Sequence, residues 1–293
     1  MRILVILFVL ICSCFNRVIR QPFFDVLSVS HLTGLPLTSS SPENQSVKSA
    51  VEGVDLSLPI ELKKDVLVLG AGYENQYITF DNSDFHASVQ SFKFPVAYFH
   101  QWKDSLWKTT FVGIGRHNSL VDNKWNSTSL QYGGAIVFAR EKKKNLIYKF
   151  GLYYNSEFFG PFFVPLLGLE FRVNKRLNIH GLLPGNMNVE YKLNTWLRTG
   201  LAFRSFTSSF RVKEKSFLRV NDNQLRLFLD FYLSKINVIS IECGHSILRE
   251  YKPGIRINHE SIYSDQDSRD GLLLRVAYQL RFRLDEEKST KQK

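Results

Sequence analysis

The stretch that decides the fold reads LRVAYQLRFRL, from Leu274 to Leu284. Every second residue is apolar, and three of the five residues between them are arginines. Because successive side chains of a strand point to opposite faces, this segment has one apolar face and one polar face. Many strands of this kind, repeated along a chain, are typical of a barrel that spans an outer membrane.

The same period of two recurs upstream, most plainly in residues 54–62, 167–173 and 225–233. From Tyr148 to the C-terminus the chain shows neither a helical period nor a long apolar run. The pattern predicts an all-β, transmembrane outer-membrane β-barrel of about 12–14 antiparallel strands. We predict strands at residues 23–33, 47–62, 65–80, 89–102, 105–117, 129–140, 146–157, 163–173, 177–183, 187–193, 196–208, 216–233, 236–248 and 271–284.

The connections between these strands alternate in length. Short turns separate longer polar segments, as periplasmic turns and extracellular loops do in such barrels. One connection breaks the rule, because Leu183–Asn186 is a Pro-Gly turn where an outer loop is expected. If residues 177–193 do not fully cross the membrane, the count is twelve, and otherwise it is fourteen. The predicted outer loops are 34–46, 81–88, 118–128, 158–162, 209–215 and 249–270.

A soluble β-sandwich also alternates, since one face of each sheet meets water. Strands of ten or more residues are longer than the globular norm and favour the barrel. The N-terminus favours export, because Met1–Arg2 precede a ten-residue apolar run, Ile3 to Cys12, that is too short to span as a helix. We therefore predict a signal peptide at 1–20, a barrel at 21–284 and a polar tail at 285–293.

Cysteine usage and charge agree with this interpretation. Removing the signal leaves Cys243 alone, so no intramolecular disulfide can form, and lipidation at Cys14 is the alternative to ordinary cleavage. Loss of Arg2, Arg17 and Arg20 lowers the formal charge from +11 to +8. The remaining excess is spread along the chain, whereas nucleic-acid interfaces gather it into one patch.

Pro95 lies inside a predicted strand, where it removes one donor from the ladder. A closed barrel has no edge strand that tolerates this loss. We therefore expect a β-bulge at this position.

The region from Tyr148 to Leu248 resembles an outer-membrane β-barrel family of the Bacteroidetes that is catalogued as a domain of unknown function. The resemblance is carried by Tyr148–Tyr154, Phe159–Gly168, His180–Gly185, Glu190–Asn194, Asp222–Leu225 and Glu242–Leu248. It implies an outer-membrane barrel in a Gram-negative cell. It brings no known activity.

The predicted polar faces carry many charges of both signs. In one interpretation they line a water-filled pore and select the solutes that pass. In the other they pair across neighbouring strands and close the lumen. Wide barrels leave space in the lumen and no loop is clearly long enough to plug it, so both interpretations stay open. The candidate lumen residues are Glu170, Arg172, Glu190, Lys192, Arg198, Arg204, Arg226, Asp230, Glu242, Arg275 and Arg281.

Signals for catalysis are poor. His180 and Glu190 flank the Leu183–Asn186 turn, and Ser205 or Ser208 is a conceivable partner in a Ser–His–carboxylate set. Polar residues of a lumen or rim explain them more simply, so we expect no enzyme. No pair of histidines has metal-ligand spacing, and we expect no metal and no cofactor.

Three functions remain as hypotheses. The first is a barrel that passes or binds small polar solutes, with the lumen charges as the selecting groups. The second is a non-conducting structural or adhesion barrel that acts through its long loops, and the third is an enzyme that hydrolyses lipid or peptide at the membrane rim. The expected partners are outer-membrane lipid and lipopolysaccharide, the barrel-assembly machinery and small polar solutes, but not nucleic acid.

Overall fold

The computed structural model describes residues 22–36, 47–80, 86–104, 106–263 and 270–284. The predicted signal peptide, Cys14 and the tail at 285–293 lie outside these ranges. Within them, no helix is long and apolar enough to cross a bilayer. The strands are β1 (Phe23–Pro36), β2 (Val47–Leu62), β3 (Asp65–Phe80), β4 (His86–Gln101), β5 (Trp107–Leu120), β6 (Leu130–Lys143), β7 (Leu146–Glu157), β8 (Gly160–Arg172), β9 (Leu177–Leu183), β10 (Asn186–Lys192), β11 (Leu197–Arg211), β12 (Ser216–Tyr232), β13 (Asn237–Ile257), β14 (Glu260–Tyr263) and β15 (Gly271–Arg283).

Fourteen of these strands form a closed antiparallel barrel. Each strand from β1 to β13 pairs with its neighbour in sequence, β13 pairs with β15, and β15 returns to β1. β14 pairs with the outer end of β13 and stands outside the wall. Both β9 and β10 pair within the wall, so fourteen strands form the barrel, the higher of the two predicted counts. The expectation that residues 177–193 cross the membrane only in part also holds, because these two strands are seven residues each.

The wall is apolar outside and polar inside. Leu272, Leu274, Val276 and Tyr278 of β15 are exposed large hydrophobic side chains, whereas the interleaved Arg281 is almost fully buried. The same arrangement holds in β2, where the alternating residues from Val54 to Leu62 are exposed. A soluble sandwich would bury these leucines. The fold is therefore a transmembrane β-barrel of the outer-membrane type.

The bulge predicted at Pro95 is wrong. The β3–β4 register is the same on both sides of this position, from Leu69↔Val96 to Gly72↔Lys93. Gly70 lies opposite, and a Cβ atom there would approach the Pro95 ring to 2.6 Å. The missing side chain at Gly70 leaves room for the Pro95 ring. The strand therefore keeps its register, although the β3–β4 pairing is interrupted at Gly70 and Ala71.

The outer ends of β11, β12, β13 and β14 leave the wall and fold over the lumen. The β12–β13 register shifts between Asn221 and Asn223, where Leu248 adopts a φ of 56°. A bulge of this kind bends a strand pair. Arg211 consequently pairs with Ser119 of β5, on the far side of the barrel. We call residues 205–211, 216–223, 246–257 and 260–263 the cap.

The cap closes the outer mouth of the barrel. Its residue Ser209 donates hydrogen bonds from both N–H and Oγ to the Glu157 carboxylate, and Gln131 and Asn118 of the wall also bond to Ser209. An apolar cluster holds its other face and contains Val47, Ile78, Ala87, Val89, Phe210, Leu218, Val220 and Tyr251. One expectation is thereby corrected: residues 249–257 and 260–263 form strands where a loop was predicted. These strands help to cover the outer mouth.

The outward face of β12 provides a test of lipid contact. Leu227→Arg places a charge in the apolar band, where Leu227 is 49% exposed, and we expect a loss of about 2–4 kcal/mol in folding free energy. The measurement is urea-dependent folding into lipid vesicles. Leu233→Arg, in the exposed turn after β12, is the control and should change stability little. Equal stability of both variants and the unaltered protein would contradict a lipid-facing β12.

Candidate functional site

Beneath the cap the barrel encloses a cavity of about 1000 Å³. Inward side chains from most wall strands line it, as the period of two requires. Six acidic and six basic residues are among them, so the pattern of pairing decides the local charge. They are Asp25, Asp55, Glu170, Glu190, Asp230, Glu242, Arg116, Lys149, Arg204, Arg226, Arg275 and Arg281.

Glu242 joins two arginines of the neighbouring strands. Its Oε2 lies 2.7 Å from Nη1 of Arg226 on β12, and its Oε1 lies 2.6 Å from Nη1 of Arg275 on β15. On the other side of the lumen, Glu170 pairs with Lys149 on the adjacent strand β7. In these groups the charges neutralise one another across the ladder, as buried charges must if they are to remain ionised.

A second group narrows the end of the barrel where the short turns lie, which we call the periplasmic end. Arg281 pairs with Asp230 at 2.6 Å and with Asp25 at 2.7 Å. Its guanidinium also stacks over the Phe23 ring, 3.7 Å from the centroid. The Phe23 ring in turn meets the edge of His180 with centroids 5.5 Å apart, although β1 and β9 lie on nearly opposite sides of the barrel. These side chains cross the lumen and constrict it.

Glu190 is held by ion pairs. Both carboxylate oxygens accept from Arg283, at 2.9 and 2.8 Å, and Arg198 approaches to 3.3 Å. Glu190 is only 1% exposed. Arg198 is buried beside it and does not line the cavity, while Arg172 and Lys192 lie towards the periplasmic ends of their strands and also stay outside it.

The residues considered for catalysis are not assembled. Neither ring nitrogen of His180 has a hydrogen-bond partner among the described residues. Glu190 is occupied by arginines, Ser205 donates to Asn223, and Ser208 accepts from Asn118. No relay runs from a serine through His180 to a carboxylate. In the described ranges no three residues of His, Cys, Asp and Glu are grouped to hold a metal ion.

Arg204 differs from the other cations of the cavity. Its Nη2 donates to Asn188 Oδ1 at 2.8 Å, and its Nη1 donates to the carbonyl oxygen of Phe203 at 3.0 Å. Of the six basic lining residues, which all fall in the described part of the chain, it alone makes no ion pair with a carboxylate within 4 Å. Glu242, the carboxylate that acts on it electrostatically, is itself paired with Arg226 and Arg275. An anion is therefore the natural complement of this side chain.

Sequence reasoning missed several residues that shape the site. Arg283 occupies an inward position of β15, so the alternation already contained a signal for it. Asp25 points inward because the β1–β15 register shifts between Asp25 and Leu27, and the alternation of β1 did not predict this shift. The sequence contained no signal for Glu157 and Phe23, because each of them acts through a contact with a distant strand. Cys243 is exposed on the outer face, as its place on the apolar side of the pattern predicts.

A family model described as Domain of unknown function (DUF6268) matches residues 38–283. The chain belongs to this family. No curated protein matches its sequence at a significant level.

Several solved structures are similar to this DUF6268 barrel. The NanC porin is 11% identical with a TM-score of 0.40, over 87% of this chain and 98% of that one. An outer membrane channel from Pseudomonas putida F1 is 8% identical with a TM-score of 0.45, over 87% and 94%. The P. putida toluene transporter TodX is 11% identical with a TM-score of 0.44, over 92% of each. Identities this low carry no activity to this chain.

The Arg281 pairs provide a stability test. Arg281→Met leaves Asp25 and Asp230 buried without their partner, and we expect a loss of about 3–5 kcal/mol. Chemical unfolding from detergent micelles measures the difference. Lys175→Met, in an exposed turn, is the control for loss of one positive charge. A destabilisation no greater than that of the control would show that the lumen pairs contribute little.

Proposed function

We propose that this protein resides in the bacterial outer membrane, reaches it through its signal peptide, and binds a small anionic solute in its closed, charged lumen. The barrel contacts outer-membrane lipid and lipopolysaccharide with its apolar band and depends on the barrel-assembly machinery for insertion. Small solutes are its functional partners. The observation that carries the proposal is Arg204, which faces the cavity without a carboxylate partner.

The capped outer mouth and the narrowed periplasmic end support a binder over a general pore. The cap covers the outer mouth, and Phe23 with Arg281 narrows the periplasmic end. A cavity enclosed in this way holds a ligand on several sides, as binding sites do. Passage of the solute then requires a conformational step. A non-conducting structural barrel would also be closed in this way. Its function would not require a cation in the cavity without an ion pair.

Binding of a carboxylate tests the proposal. Hexanoate should bind the detergent-solubilised protein in calorimetry, whereas hexylammonium, of equal length and opposite charge, should not. Arg204→Gln should weaken hexanoate binding by about tenfold or more, because a charge-assisted hydrogen bond is worth about 1.5–3 kcal/mol. Lys175→Gln is the charge-matched control. Equal binding of both ligands, or an Arg204→Gln variant that binds as the unaltered protein does, would refute it.

Conductance tests the closure. The protein should carry no steady current in a planar bilayer. Phe23→Ala combined with Tyr251→Asp should produce current, because it removes the ring from the constriction and places a carboxylate in the apolar cluster of the cap. Each single variant leaves one end closed and should conduct less. Ile257→Asp, at the exposed end of β13, is the control, and a large steady current through the unaltered barrel would show that the lumen is open.

A further inference from the structure

The barrel wall has a gap in its outer half. β9 and β10 are seven residues each, short of the roughly nine to eleven that a tilted strand needs to span. The β8–β9 ladder reaches up only to Leu167↔Leu183, and the β10–β11 ladder only to Asn186↔Arg204. Residues 160–166 and 205–211 therefore border a stretch of wall without a ladder between them. We call this gap the window.

The cavity extends into the window. Ser205, Phe206 and Thr207 all line it, as do Pro184 and Gly185 at the top of the β9–β10 hairpin. Consecutive residues of a strand point to opposite faces. Because the cavity touches three consecutive residues, it reaches around the edge of the strand as well as along its inner face.

The β8 edge of the window is adapted to having no neighbour. The Arg172 N–H donates to the Asn145 carbonyl on the β7 side. In an antiparallel sheet successive residues hydrogen-bond to opposite neighbours, so even-numbered residues of β8 point their N–H and C=O groups to β7, and odd-numbered residues point theirs to the window. Two of the three odd residues there, Pro161 and Pro165, have no N–H group. Only Phe163 presents a ladder donor to the gap.

The β11 edge is adapted by hydrogen bonds. The Ser205 N–H donates to the Gly185 carbonyl at 2.8 Å, and the Ser209 N–H donates to Glu157 Oε2 at 2.9 Å. Backbone groups without partners are costly in a bilayer. Prolines on one side and these bonds on the other reduce the number of N–H donors left without a partner at the two edges.

The chemistry beside the window has two parts. Arg204 lies at its lower edge, opposite Asn186 at the start of β10. An apolar row crosses four strands of the inner wall and ends on β8 at the window's other edge. The row consists of Val112, Ala135, Tyr153 and Val164, joined by cross-strand pairing, and all four line the cavity.

We infer that a single-chain amphiphile with an anionic head enters the lumen sideways, from the bilayer through the window. The head binds Arg204 at the lower edge, and the tail lies along the apolar row. The exposed Phe163 stands on the outer face at the β8 edge, so this edge lies within the lipid-facing band. Phe206 of β11 lies on the inward side of its strand with Arg204 and lines the cavity at the other edge. The inference rests on the proposed function, because both use Arg204 as the anion anchor.

The experiment obstructs the window and follows a named probe, dodecanoate. Gly185→Trp fills the lower edge, where an added Cβ meets nothing closer than Leu182 O at 3.5 Å. Gly113→Trp is the control, since a Cβ there has no heavy atom within 4 Å and Gly113 is far from the window on β5. Thr207→Trp, at the β11 edge of the window, is the second variant that obstructs it. Stopped-flow mixing with protein in lipid nanodiscs gives the association and dissociation rates.

We expect both window variants to slow association and dissociation together, severalfold, with little change in Kd. Arg204→Gln should instead weaken the affinity by about tenfold to a hundredfold, chiefly through faster dissociation. Unchanged rates in Gly185→Trp and Thr207→Trp would overturn lateral entry while leaving the proposed function intact. Hexanoate bound as tightly as dodecanoate would overturn the amphiphile, and failure of both carboxylates to bind would overturn the proposed function with it.

Discussion

The interior of a bilayer offers no hydrogen-bond partner to a backbone N–H or C=O group, and the whole structure depends on this constraint. It requires the sheet to close, which the pairing of β15 with β1 accomplishes. In the closed sheet, one face of each strand lies against lipid and the other faces the lumen. At the window a ladder is interrupted over several residues, and there prolines and other hydrogen-bond acceptors take the place of a neighbouring strand.

Closure has a second consequence for the charged side chains. Inside a narrowed lumen they lose much of their contact with bulk water, so each needs a partner of opposite charge. Arg281 finds Asp25, which is 256 residues away in sequence and adjacent in the barrel. Among the basic residues that line the cavity, Arg204 is then left without an ion pair. The anion binding proposed for Arg204 therefore depends on how its neighbours are paired.

The strands and their orientation were predictable because the period of two is local. Each predicted strand is present, and residues 272–283 point as their alternation indicates. The prediction of residues 249–270 as a loop failed over 249–257 and 260–263, because these segments pair with other strands of the cap, and the local pattern did not indicate that pairing. The bulge at Pro95 failed because the compensation comes from Gly70, on a different strand. Eight of the eleven candidate lumen residues line the cavity, and Arg172, Lys192 and Arg198 do not.

The sequence by itself determined that this chain is a barrel and which side chains face lipid, since both follow from residues two apart. The tertiary structure decided that the outer mouth is capped, that the periplasmic end is constricted, and that the wall opens above β9 and β10. It also decided which charges are paired. These properties depend on strands that meet around or across a cylinder, and no local pattern records which distant residues those will be.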